Sequence, residues 1–214
     1  MNLNDYDTLV FDCDGVILNS NRIKTDAFRH AALPYGEDAA ERLVTYHLAN
    51  GGVSRHHKIS YFLDELVPDG AGPSRDELLE AYAHHTRSGL LTCEVAPALA
   101  HLREKSVAKW AIVSGGAQDE LRSVFTTRGL ADFFDAGIYG SPDPKELILQ
   151  RELAVGTICR PALFLGDSRY DHVAASGAGF DFIFISGWTE FSDWREYCAE
   201  NRIPHVPSLS DLVF

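Results

Sequence analysis

Asp12 and Asp14 stand two residues apart at the end of an apolar run, in the stretch LVFDCDGVILNS (9–20). Side chains at i and i+2 of an extended segment point to the same side, so two carboxylates at that spacing repel each other. A cation, a shared proton or a solvent-filled cleft must relieve them. The ends of other apolar runs offer means of relief. KWAIVS (109–114) ends on Ser114 and is followed by Gly115 and Gly116, a hydroxyl with flexible backbone whose N–H groups can face an anion. AGIYG (136–140) leads into SPDPKE, where prolines stiffen a loop and Lys145 opens a helical pattern. ALFLG (162–166) is followed by DSRYD, which contributes Asp167 and Asp171. Clustered aspartates on oxygen-rich loops suit a hard cation, and the Cys/His set that zinc prefers does not accompany them. Magnesium neutralises such carboxylates while keeping waters of its own, and Lys145 adds a charge able to orient a carboxylate nucleophile and offset phosphoryl charge. Together these residue types describe phosphoryl transfer.

For these residues to meet, the apolar runs must be neighbouring strands. The runs 8–11, 109–114, 136–140, 162–166 and 181–186 are too short for helices, and most are rich in Val, Ile and Phe. Amphipathic stretches at 97–105, 117–128, 145–154 and 170–177 lie between the later ones. Strand alternating with helix predicts an α/β chain with a doubly wound, Rossmann-like parallel sheet, whose ligands sit beyond the carboxyl ends of the strands. Residues 19–92 break the rhythm: 21–33, 36–49, 54–66 and 74–87 read as helices, separated by PYG, NGG and PDGAGP. An all-α insert directly after the first strand is expected to lie over the carboxyl edge of the sheet as a cap. The expected division is an α/β core of residues 1–18 and 93–214 with an inserted helical cap domain of residues 19–92. A last helix is expected over 189–201, in an aromatic tail expected to pack internally through Trp188, Phe191, Trp194 and Tyr197.

The formal charge of −12, from 19 basic and 31 acidic residues, argues against a nucleic-acid or anionic-membrane partner. Any phosphate is therefore met by a local pocket. No apolar run approaches the ~20 residues of a membrane span, and no basic-then-apolar leader precedes the first strand. Cys13, Cys93, Cys159 and Cys198 lack C-x-x-C spacing, so a cytoplasmic protein with reduced thiols is expected, Cys13 being a core residue unless exposed. Adjacent histidines on a helix point about 100° apart, so His56–His57 and His84–His85 do not chelate as units and are expected on solvated faces.

FDCDGV, VSGG, Lys145 and GDSRYD, in that order, resemble the four motifs of the haloacid dehalogenase superfamily over about residues 5–186. The helical insert after the first motif resembles the branch that holds β-phosphoglucomutase and phosphoglycolate phosphatase. This resemblance implies that Asp12 attacks phosphorus in line to form an aspartyl-phosphate. It implies that Asp14 protonates the leaving oxygen and then deprotonates the attacking water, which requires it to hold a proton part of the time. It further implies a magnesium site of the Asp12 carboxylate, the Asp14 main-chain carbonyl and Asp167, with Asp171 acting through water or from behind. Ser114 and neighbouring amides such as that of Gly115 would hold the phosphoryl oxygens. Dehalogenases of the superfamily lack the second aspartate, because a carbon–halogen bond needs no protonated leaving group; Asp14 points instead to C–O–P chemistry.

Two features depart from the family pattern. Asn19 stands where an acid is common, and Lys145 follows the Pro-x-Pro instead of preceding it, which leaves open a plain surface lysine at a helix start. The segment GVSR (52–55) is similar to a stretch of β-phosphoglucomutase and its relatives in which the arginine reaches into the site from above. Arg55 would then grip a substrate carboxylate or second phosphate; the alternative is Ser54 as an N-cap with Arg55 on the surface. Lys24 is a weaker candidate for the same pocket. The expected function is a magnesium-dependent phosphatase of a small phosphorylated metabolite, a sugar phosphate or a phosphorylated hydroxy acid. The alternatives are a phosphomutase of the β-phosphoglucomutase type and a phospho-accepting signalling receiver, which the large insert fits poorly.

Overall fold

The structure, a computed structural model, describes residues 2–212. Six strands, β1 (Thr8–Phe11), β2 (Lys109–Ala117), β3 (Ile138–Ser141), β4 (Ala162–Gly166), β5 (Asp181–Ile185) and β6 (His205–Val206), form one parallel sheet in the order β3-β2-β1-β4-β5-β6. Alternate side chains along a strand face opposite sides, and the two sides carry separate cores. Leu9, Phe11, Trp110, Ile112, Leu163, Leu165, Ile183 and Ile185 pack on one face. Val10, Ala111, Val113, Phe164, Phe182 and Phe184 pack on the other.

β1 pairs with β2 on one side and β4 on the other, in register from Thr8 to Phe11. This is the point where the sheet's winding reverses, and a crevice opens there beyond the carboxyl ends of the strands. The residues that follow β1, β2 and β4 therefore converge, although they are far apart in the chain. The Asp12 N–H donates to the Leu165 carbonyl at 2.9 Å, which fixes the turn after β1 against β4.

Between β1 and β2 lie α1 (Asn21–Ala32), α2 (Glu37–Ala49), α3 (Arg55–Tyr61) and α4 (Arg75–Thr92). They bury a cluster of their own, including Ala27, Phe28, Leu43, Ile59, Phe62, Leu78 and Tyr82. α4 begins at a capping box in which Ser74 and Glu77 satisfy each other's backbone N–H groups, and it runs to Thr92, beyond the expected Arg87. α3 gives way to a π-helical turn over Phe62–Leu66.

The core helices are α5 (Leu99–Lys105), α6 (Gln118–Thr127), α7 (Lys145–Val155), α8 (Arg169–Gly177) and α9 (Trp194–Asn201). α9 starts later than the expected 189 because the Thr189 hydroxyl donates to the Asp167 carbonyl at 2.7 Å and accepts the Phe191 N–H at 3.1 Å. These bonds hold 189–193 as a loop over the sheet. β6, two residues long, has no periodic signature in the sequence. Trp194 stacks on Phe184 with ring centroids 5.6 Å apart, so the aromatic tail packs internally. No helix among the described residues is long and apolar enough to cross a membrane.

Candidate active site

Lys145 is the first residue of α7, placed by Pro144 at the cap position. Its side chain is 1% exposed, which rules out the surface-lysine reading. Its Nζ donates to Asp12 Oδ1 at 2.8 Å and to Asp171 Oδ1 at 2.5 Å. Asp171 is held in turn by the capping box that starts α8: its Oδ2 accepts from the Ser168 N–H at 3.1 Å and the Ser168 hydroxyl at 2.6 Å. A β-carbon at Gly166 would strike the Asp171 side chain, so glycine at the end of β4 lets this carboxylate lie on the strand. Gly15, at φ +76°, likewise lets the turn after β1 pass against Asp167. Asp167 Oδ2 accepts from Asn21 Nδ2 at 2.6 Å.

One carboxylate oxygen from each of Asp12, Asp167 and Asp171 lies within 4.8 Å of the others, and all three residues are buried. Burial, with the neighbouring charges of Asp171 and Asp14, pushes Asp12 up to about 7 against the pull of Lys145. Burial and the charges of Asp12 and Asp171 push Asp167 well above the usual carboxylate range. Lys145 is held protonated, since Asp12 and Asp171 outweigh the cost of its burial. Four carboxylates, those of Asp12, Asp14, Asp167 and Asp171, thus face two ion-paired ammonium groups, Lys24 and Lys145. The buried oxygen-only donor set of Asp12, Asp167 and Asp171, whose carboxylates raise one another's proton affinity, fits a hard divalent cation.

Asp14 differs from expectation. Its carboxylate turns away from the triad: Oδ1 accepts from the Ser20 hydroxyl at 2.5 Å, and Oδ2 is ion-paired with Lys24 of α1. Burial favours its neutral form, but the Lys24 charge and the hydrogen bonds from Lys24 and Ser20 outweigh it and hold the carboxyl below its ordinary value. Asp14 is therefore an anion here, with the proton on Lys24. Its side chain is not part of the triad of Asp12, Asp167 and Asp171. Ser114 is buried, and its Oγ accepts the Gly116 N–H at 3.1 Å. Cys13 is fully buried.

Above these groups the α2–α3 loop closes onto the core. A β-carbon at Gly115 would strike the Gly52 carbonyl, and one at Gly52 would lie 2.9 Å from Ser168 Oγ. Beneath the loop lies a cavity of about 690 Å³ lined by Asp12, Asp14 and Asp167 from the core and by Lys24, Arg55 and Lys58 from the helices. Ser54 does cap α3, accepting the His57 N–H at 3.4 Å, yet the Arg55 side chain is only 10% exposed. Its Nη2 donates to Glu120 at 2.9 Å, its guanidinium lies 5.1 Å from the Tyr82 ring centre, and its buried Nη1 has no partner among the described residues. His57, His84 and His85 are exposed and His56 is half-buried. His47, Lys58 and Glu190, which join one partly buried hydrogen-bond chain, and Asn21, which holds Asp167, belong to no motif in the sequence. Lys58 does lie on the apolar period of α3, next to Ile59, which was the available signal.

Residues 6–179 match the family model of haloacid dehalogenase-like hydrolases. The chain is similar to phosphoglycolate phosphatase of Rhodobacter capsulatus, at 27% identity over 95% of this chain and 92% of the relative. It is also similar to the tyrosine-protein kinase PtkA of Mycobacterium tuberculosis, at 24% identity over 95% of this chain and 70% of the relative. Among solved structures, CbbY from Rhodobacter sphaeroides in complex with xylulose-(1,5)bisphosphate superposes with a TM-score of 0.69 at 18% identity, covering 98% of this chain and 100% of that one.

Proposed function

The chain belongs to the haloacid dehalogenase-like hydrolases, and we propose that it is a magnesium-dependent phosphatase acting on a small phosphorylated metabolite, a sugar phosphate or a phosphorylated hydroxy acid. The observation that carries this reading is the Asp12 carboxylate, held by Lys145 at 2.8 Å and lining the cavity as a member of the acidic triad. Asp12 attacks phosphorus while the bond to the ester oxygen breaks; that oxygen takes a proton from the Asp14–Lys24 pair, where it rests on Lys24 before the reaction. Water then attacks the phosphorus of the aspartyl-phosphate, gives its proton back to the Asp14–Lys24 pair, and releases phosphate and the Asp12 carboxylate. Ser114 and Gly115 hold the phosphoryl oxygens, and Arg55 reaches the substrate through Nη1. The Asp12 and Asp167 carboxylates and the Asp14 main-chain carbonyl would hold magnesium, with Asp171 behind them. Bound there, the cation supplies charge neutralisation to carboxylates and phosphoryl group alike.

The core domain comprises residues 1–18 and 93–214, whose ends at residues 1 and 213–214 lie outside the described residues. The cap domain comprises residues 19–92; its separate apolar cluster supports the division. A panel of phosphorylated metabolites assayed with magnesium tests the function. Hydrolysis that disappears in Asp12→Asn is the expected result; no turnover of any ester, or activity that survives the substitution, overturns it. Dependence on a bisphosphate with slow phosphate release would identify a phosphomutase instead.

A further inference from the structure

We propose that Lys58, positioned by a hydrogen-bond chain running from the cap helices to Glu190 of the core, selects substrates that carry a second negative group remote from the scissile phosphate. This deepens the phosphatase reading and rests on it for the identity of the first group. Lys58 is 2% exposed and lines the cavity. Its Nζ donates to His47 Nδ1 at 2.7 Å, and no carboxylate of the described residues pairs with it. Since lysine has only protons to give when charged, Nδ1 must accept, which places the ring proton of neutral His47 on Nε2. From there the bond runs on to Thr25 Oγ1 at 3.1 Å, and the Thr25 hydroxyl donates to Glu190 Oε2 at 2.6 Å. Every link points the same way, from α3 through α2 and α1 to the 189–193 loop. The chain ends on a carboxylate that accepts.

Phe28 fixes this geometry from the side, its ring centre 4.6 Å from that of His47 and 5.5 Å from Lys58 Nζ. One of the three ammonium protons is thereby committed, and the other two have no acceptor among the described residues. A buried cation without a counter-ion is costly, and here burial, with the Lys24 charge, pulls Lys58 down to about 7. Lys145, equally buried, has two carboxylates at hand. The counter-charge that no described residue supplies at Lys58 is the one a two-headed substrate brings into the cavity. Carboxylate and phosphate both meet that description.

The test is equilibrium binding by calorimetry, with magnesium present and three non-hydrolysable probes: an alkyl phosphonate, a carboxyalkyl phosphonate and a bisphosphonate of the same span. Wild type should bind at least one two-anion probe roughly 10–100-fold more tightly than the alkyl phosphonate, the range for a charge-assisted hydrogen bond. Whichever probe gains more identifies the second group as carboxylate or phosphate. In Lys58→Met that ratio should fall to within roughly threefold of unity, and Glu190→Gln, which weakens the positioning chain, should lower it part of the way. Lys58→Gln, which keeps a donor for His47 without charge, serves as a second variant if Met impairs folding. A wild-type ratio near one, or a ratio that Lys58→Met and Lys58→Gln leave unchanged, overturns the proposal. A large, Lys58-dependent ratio in a protein that hydrolyses no phosphate ester would sink the phosphatase reading and leave anion selection standing.

Discussion

Lys145 and Lys58 are both buried lysines, yet their surroundings drive their proton affinities in opposite directions. Asp12 and Asp171 hold the proton on Lys145, whereas Lys58 meets only a neutral imidazole and falls to about 7 from an ordinary 10.5. The sign for stability follows from linkage. Below about pH 7 Lys58 is charged in both folded and unfolded chains, and the folded chain carries the cost of the buried charge. Between about 7 and 10.5 the unfolded chain binds the extra proton, so this residue makes folding more favourable as pH rises. Lys58→Met should therefore raise the melting temperature of the ligand-free protein at pH 6 to 7, roughly 2–4 °C per kcal/mol recovered, and the gain should shrink towards pH 10. Thermal denaturation of both proteins across that range checks it; a constant difference contradicts the assignment. At the reaction centre, Asp12→Asn should lower kcat by at least about 1,000-fold, as expected where nucleophile and supporting groups act as a unit. Steady-state phosphate release measures the loss.

The α2–α3 loop, the irregular end of β2 and the start of α8 meet at glycines, and the closeness of that meeting is a property of elements. Gly115 lies against the Gly52 carbonyl, so Gly115→Ala should hold the cap off the core. An increase in KM of about tenfold with little change in core stability is expected, since a misplacement near 1 Å can cost up to 100-fold. Faster hydrogen exchange over residues 50–53 would accompany it; an unchanged KM would show that the loop does not close in solution. The same scale explains how far the helices could be read in advance. The breaks PYG, NGG and PDGAGP, which set off 21–33, 36–49 and the segment from residue 74, marked α1, α2 and the start of α4. The late start of α9 depends on Thr189 bonding to Asp167, a partner with no local sequence signature. Lys145 shows the reverse case. Its displacement past Pro144 looked like a departure from a motif, yet the first turn of α7 carries its ammonium back to Asp12.

At the scale of the whole molecule, the two halves of the sheet bring negative charge together where β1 and β4 lie side by side, with Asp12, Asp167 and Asp171 meeting around the single ammonium of Lys145. A divalent cation should stabilise the fold by relieving it. With magnesium at about 100 times its Kd, wild type should melt roughly 5–10 °C higher than in chelator, and Asp167→Asn should lose most of that shift. Differential scanning calorimetry with and without chelator decides this, and an equal shift in both proteins would place the cation elsewhere. The sequence by itself determined the residue types of the site, their places after apolar runs, the helical insert and the alternation that builds a parallel sheet. These are legible because strand ends, helix periods and turn residues are local chemistry. Strand order, cap closure and the partners of Asp14 and Lys58 were decided only by the tertiary structure. Asp14 depends on an α1 lysine swung beneath the cap, and Lys58 on a chain through three helices and a loop 132 positions away at Glu190. Desolvation and through-space charge set the behaviour of both, and neither force leaves a trace in the spacing of residues along the chain.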